Sequence, residues 1–136
     1  MNLLENTQLY RTYGAHPAGQ GWTFRVYAPN ARDAALAGDF NGWQPAPMQH
    51  QGGDWVLTVP DAQPGQCYKY VITGADGQVR WKADPYGTYA QLRPDTASRL
   101  YDVSGFRWHD DVWRERRRET PLTDGPLNIY EVHPGS

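Results

Sequence analysis

The sequence predicts an all-β fold, an antiparallel β-sandwich. Three observations carry that prediction. Segments of strand length with alternating apolar residues recur roughly every 10–15 residues, with Gly, Pro, Asn and Asp turn signals between them. The composition is rich in turn formers and rings, with 14 Gly, 11 Pro, 6 Trp and 9 Tyr. No helical period is convincing before Asp110. Short antiparallel strands joined by tight turns bury one face each, and two such sheets cover one another.

Residues 1–20 are polar and close on Gly14, Pro17 and Gly19, so they read as a loose leader. The sandwich is expected over 21–104. In Gly21–Pro29, Trp22, Phe24, Val26 and Ala28 share one face, against Thr23, Arg25 and Tyr27. Pro29–Arg32 is a turn. Asp33–Phe40 is a second strand whose alanines suit a crowded position. Asn41-Gly42 is a strong turn dipeptide, and Gln44–Gly53 reads as a polar loop. Asp54–Pro60 alternates Trp55, Leu57 and Val59 against Val56 and Thr58, and Asp61–Gly65 turns the chain again. In Gln66–Thr73, Tyr68, Tyr70 and Ile72 share one face, which places Lys69 on the other. Gly74–Gly77 closes a hairpin into Gln78–Ala83, and Ala97–Val103 is a last sandwich strand. Residues 105–126 read as a linker holding a short helix, Asp110–Glu119, capped by Asp110 or Asp111 and docked through Val112 and Trp113. Pro121–Pro126 ends the linker, and 127–136 contains one more apolar strand pattern, Leu127–Val132.

A chain of 136 residues suffices for one core. Its net charge of −2 provides no basic field for nucleic acid or an anionic membrane. The cationic run Arg114–Arg118 includes Glu115 and is followed by Glu119, as in a solvated helix face. Cys67 is the single cysteine and reads as a small buried hydrophobe. No apolar run suits a signal peptide or a membrane span, so a cytoplasmic protein is expected. His16, His50, His109 and His133 share no metal-ligand spacing, and there is no phosphate loop or dinucleotide fingerprint. No cofactor, metal or catalytic residue is expected. Asp39, Asp61, Asp76, Asp84 and Asp95 sit beside Gly, Pro or Ala, where turn and capping roles account for them.

Trp43 and Trp81 stand apart from the core candidates Trp22 and Trp55. Trp43 lies in a polar turn between Gly42 and Gln44, and Trp81 lies between Arg80 and Lys82. Neither has apolar neighbours in its own segment to bury it, so core packing and surface binding both stay open. Two flat rings and the long donor Lys69 would suit a sugar, which presents apolar C–H faces and a rim of hydroxyls.

Several strings carry a resemblance to a known family. They are Phe24–Ala31 (FRVYAPNA), Gly38–Trp43 (GDFNGW), Pro64–Tyr70 (PGQCYKY), Lys82–Gly87 (KADPYG), Leu92–Ser98 (LRPDTAS) and Pro126–His133 (PLNIYEVH). Together they resemble the N-terminal region of bacterial 1,4-α-glucan branching enzymes, whose module is carbohydrate-binding module family 48. The resemblance runs from about Tyr13 to Val132. It implies an immunoglobulin-like sandwich that binds glycogen, starch or malto-oligosaccharide, with Trp43 and Trp81 stacking on glucose and Lys69 bonding a hydroxyl. It implies a role in glycogen biosynthesis, tethering glucan beside a glycoside hydrolase family 13 barrel. Residues 127–136 would be the start of that barrel, which is otherwise absent from the chain, so the chain alone is not expected to be an enzyme. Pro134 departs from the family, which has leucine there. A non-binding domain that packs on and positions the barrel is the alternative; a kinase regulatory-subunit module fits the strings at 92–98 and 127–133 less well. Ile129–Val132, a strand without neighbours, would invite self-association.

Overall fold

Period-2 burial builds two facing sheets, as expected for the immunoglobulin-like sandwich. A computed structural model describes residues 8–120, 123 and 125–135. Of the expected segments, residues 1–7 of the leader, Pro121, Leu122 and Asp124 of the linker, and Ser136 lie outside the described residues. The strands are β1 (Gly14–Ala18), β2 (Gly21–Tyr27), β3 (Asp33–Gly38), β4 (Ala46–Pro47), β5 (Gln49–Gln51), β6 (Asp54–Val59), β7 (Cys67–Thr73), β8 (Val79–Lys82) and β9 (Ser98–Arg99). One sheet has the order β1-β2-β6-β5, and the other β4-β3-β7-β8 with β9 also on β7. All the pairings are antiparallel.

The core forms where the inward faces meet. Trp22, Phe24, Val26 and Trp55 come from the first sheet, and Ala34, Leu36, Tyr68 and Tyr70 from the second; all are buried. Phe24 meets Tyr68 edge-to-face with centroids 5.0 Å apart, a favoured aromatic geometry. Each large side chain buried this way contributes about 1.5–3 kcal/mol. Ala34 and Ala37 are buried in β3, which has a partner on both edges, so the crowding expected of that strand is present.

The structure departs from the sequence reading in several places. Part of the expected loose leader is β1, registered on β2 from Gly14↔Arg25 to Ala18↔Gly21. Its Ala-His-Pro-Ala sequence lacks a strand pattern, but an edge strand needs only backbone hydrogen bonds on one side and tolerates proline there. The expected loop Gln44–Gly53 contains β4 and β5, which carry the chain from one sheet to the other. Met48 lies between them and is buried. The last sandwich strand contracts to β9, after which Leu100 enters the core.

Residues up to Ser104 form one compact unit and those from Gly105 a second. The second contains α1 (Asp111–Glu119). Asp110 holds the N-cap position without a side-chain cap bond, so the expected capping does not occur; within this unit Val112 and Trp113 are exposed. Leu127–Val132 joins no ladder among the described residues, and the strand expected there is not assigned. Ile129 and Tyr130 are 83% and 91% exposed.

Candidate functional site

The loop after β3 is built around two residues, Asp39 and Asn41. Asn41 Oδ1 accepts from the Gly38 N–H at 3.0 Å, and its Nδ2 donates to the Leu36 carbonyl at 3.1 Å. Gly38 has no room for a side chain, because a Cβ would come within 2.6 Å of the Cys67 carbonyl. Gly42 follows at φ 62° and Trp43 at φ 61°. The left-handed region is open to glycine but costs a bulky residue about 1–3 kcal/mol. Two hydrogen bonds hold Trp43 there: its N–H donates to the Gly38 carbonyl at 2.9 Å, and its indole Nε1–H donates to Asp39 Oδ1 at 2.8 Å. The ring is half-buried and outside the core cluster.

Lys69 and Trp81 reach the same place from the second sheet. Directly paired residues of antiparallel strands share a face. Lys69 pairs with Ala37, and Trp81 pairs with Val71 two residues along β7 from Lys69. Tyr68 and Tyr70 point into the core, so Lys69, Val71 and Trp81 lie on the outward face. Trp81 is 46% exposed. Trp43, Lys69 and Trp81 line one open pocket of about 420 Å³. The structure therefore brings all three candidate residues together.

The opposite wall was missed from sequence. Gln91, Pro94, Asp95, Thr96 and Ala97 complete the pocket. This segment folds back on itself: the Gln91 N–H donates to the Ala97 carbonyl at 3.0 Å, and the Ala97 N–H donates to Gln91 Oε1 at 3.2 Å. Lys69 Nζ donates to Thr96 Oγ1 at 2.7 Å, which fixes the ammonium and leaves two of its donors for a ligand. Asp95 supplies the pocket's one carboxylate, an acceptor suited to hydroxyls. The only sequence signal was the string 92–98, which carried a resemblance but no position. Among the described residues, no group of three His, Cys, Asp or Glu could hold a metal.

Asp84 supports the site from below, and here the turn reading falls short. Oδ1 does accept from the Tyr86 N–H at 2.8 Å, a turn contact. But Asp84 is buried, and Oδ2 accepts from Tyr68 Oη at 2.6 Å and Tyr70 Oη at 3.2 Å. Its own N–H donates to Ser98 Oγ at 2.8 Å. Burial pushes its carboxyl above the ordinary carboxylate range; the Tyr68, Tyr86 and Tyr70 hydrogen bonds pull the other way. Burial, then the neighbouring carboxylate, holds Tyr68 and Tyr70 protonated well beyond neutral pH, so both remain donors. Asp84 lies two residues after the end of β8, so these bonds anchor the strand that carries Trp81.

Residues 12–87 match the family model described as carbohydrate-binding module 48, the isoamylase N-terminal domain. The 1,4-alpha-glucan branching enzyme GlgB of Butyrivibrio fibrisolvens is 43% identical over 136 residues, covering 94% of this chain and 21% of that protein. The same enzyme from Rubrobacter xylanophilus is 46% identical over 138 residues, covering 96% of this chain and 19% of that protein. The chain thus spans about a fifth of the length of these curated relatives. Among solved structures, Klebsiella pneumoniae pullulanase complexed with maltotriose aligns with a TM-score of 0.57 and 25% identity, over 66% of this chain and 9% of that one.

Proposed function

Because the chain belongs to the carbohydrate-binding module 48 family, we propose that it binds α-glucan chains, glycogen or its linear precursors, in the pocket of Trp43, Lys69 and Trp81. The convergence of two accessible rings and a fixed ammonium in one open pocket carries this reading. A glucose unit offers C–H faces to the rings, and its hydroxyls would meet Lys69 and Asp95. The likeness to branching enzymes and to a pullulanase complexed with maltotriose supports the choice of α-glucan. The role proposed is tethering: holding glucan near a branching-enzyme barrel raises the local concentration of chain ends without altering the chemical step. The reading includes a role in glycogen biosynthesis, which suits a likeness to branching enzymes, and a cytoplasmic location. No helix among the described residues is long and apolar enough to cross a membrane.

Native affinity electrophoresis in a glycogen-containing gel tests this. The protein should be retarded, and equally so at low and high salt, because a neutral ligand releases no counterions and presents no charge to screen. Unchanged mobility would favour a domain that only positions the barrel. A tenfold loss of affinity on raising salt would indicate an anionic ligand.

We also propose that Ile129–Val132 pairs with another strand, either in a larger protein or in a second copy, because its apolar side chains are exposed and it has no ladder. Its amides should exchange rapidly in dilute monomer and gain protection as concentration rises. Strong protection in a proven monomer would overturn this.

A further inference from the structure

We propose that Asp39 is a positioning residue that sets the orientation of Trp43 and its spacing from Lys69; the inference rests on the glucan-binding reading above. The Asp39 carboxylate bridges both arms of the pocket. Oδ1 accepts from the Trp43 indole Nε1–H at 2.8 Å, and Oδ2 accepts from the Cys67 backbone N–H at 2.7 Å. Cys67 opens β7, and Lys69 lies two residues further along on the same face. One rigid side chain therefore joins the aromatic loop to the strand that carries the ammonium.

The geometry gives Asp39 a reason to be a carboxylate. It faces two N–H donors, one on each oxygen, and a carboxylate is an acceptor at both. Asparagine could satisfy only one of them and would turn its NH₂ toward the other. The indole also has only one hydrogen-bonding group, so the bond to Oδ1 fixes which edge of the ring turns inward and leaves its faces to stack. A ring held this way pays less ordering entropy when a ligand arrives. Trp81, by contrast, is positioned by its strand ladder.

The test uses Asp39→Ala, Trp43→Phe and the double variant. Phenylalanine keeps a ring at position 43 but has no N–H to position. In an amide spectrum of the free protein, the Trp43 indole N–H, assigned by its loss in Trp43→Phe, should exchange slowly in the parent and at the rate of a free indole in Asp39→Ala. Affinity for maltoheptaose should fall about tenfold in Asp39→Ala, as for loss of a charge-assisted hydrogen bond, and much less when the change is made in Trp43→Phe. Equal losses in both backgrounds, or an unchanged indole exchange rate, would overturn the proposal. If Asp39→Ala does not fold, Asp39→Leu, which fills similar space and has no acceptor for either N–H, carries the same comparison. If the parent itself does not bind maltoheptaose, the glucan reading fails, while the exchange measurement still decides whether Asp39 holds the ring.

Discussion

Trp43→Ala and Trp81→Ala should each remove most of the glucan binding and leave the fold intact. A shallow open pocket with two stacking faces should bind in the millimolar to micromolar range, about −4 to −8 kcal/mol. On the proposed reading each ring would cover the apolar face of a sugar unit, and losing that covered area should cost about 2–3 kcal/mol, or roughly 30- to 150-fold in affinity. Against so small a total, one ring decides whether binding is measurable. The fold should survive because Trp43 and Trp81 are outside the buried cluster, unlike Trp22 and Trp55. Lys69→Ala should cost less, about 0.5–1.5 kcal/mol, because its hydrogen bonds to a ligand would compete with water. Calorimetry with maltoheptaose, with circular dichroism on each variant, checks all three. Loss of fold in either tryptophan variant would make that ring structural; parental affinity in both would place the sugar elsewhere.

Asp84→Ala should cost about 3–5 kcal/mol of stability, as much as truncating a core aromatic. Three donors, Tyr68 Oη, Tyr70 Oη and the Tyr86 N–H, would lose their acceptor, the two hydroxyls inside the core. A domain of this kind has roughly 5–15 kcal/mol in total, so urea unfolding should show the loss directly. Asp84→Asn gives the pH signature. The folded protein holds the Asp84 carboxyl above its ordinary value of 3.8, so folding favours the protonated form. That contribution is fully present below the unfolded value and is lost as pH rises through the folded one. The stability of the parent relative to Asp84→Asn should therefore decline as pH is raised through the window just above 3.8. A relative stability that rises across this window would mean that the hydrogen bonds outweigh burial.

The strands that bury one face were readable without coordinates. Trp22, Phe24 and Val26, and Tyr68 and Tyr70, alternate because a strand turns successive side chains to opposite faces, and only one face is dry. The same alternation placed Lys69 outward. β1, β4 and β5 were not readable. They are edge segments whose only requirement is backbone pairing, so residues such as Pro17, Pro47 and Gln49 leave no period to detect.

The sandwich, its turns and the prominence of Trp43, Trp81 and Lys69 could be read along the chain, because strand burial, turn chemistry and a ring without apolar neighbours are all local properties. It took the folded chain to show that these three line one pocket, that Gln91 and residues 94–97 complete it, that Asp84 is a buried acceptor and that the Asp39 carboxylate bonds both Trp43 and Cys67. These arrangements join residues far apart in the chain: Lys69 meets Thr96 across 27 positions, Asp39 meets Cys67 across 28, and Tyr68 meets Asp84 across 16. A carboxylate beside Gly or Pro has the same local sequence whether it caps a turn or accepts two buried tyrosines. What separates the two roles is the set of donors that packing brings to it, and that set exists only once the sheets have closed on each other.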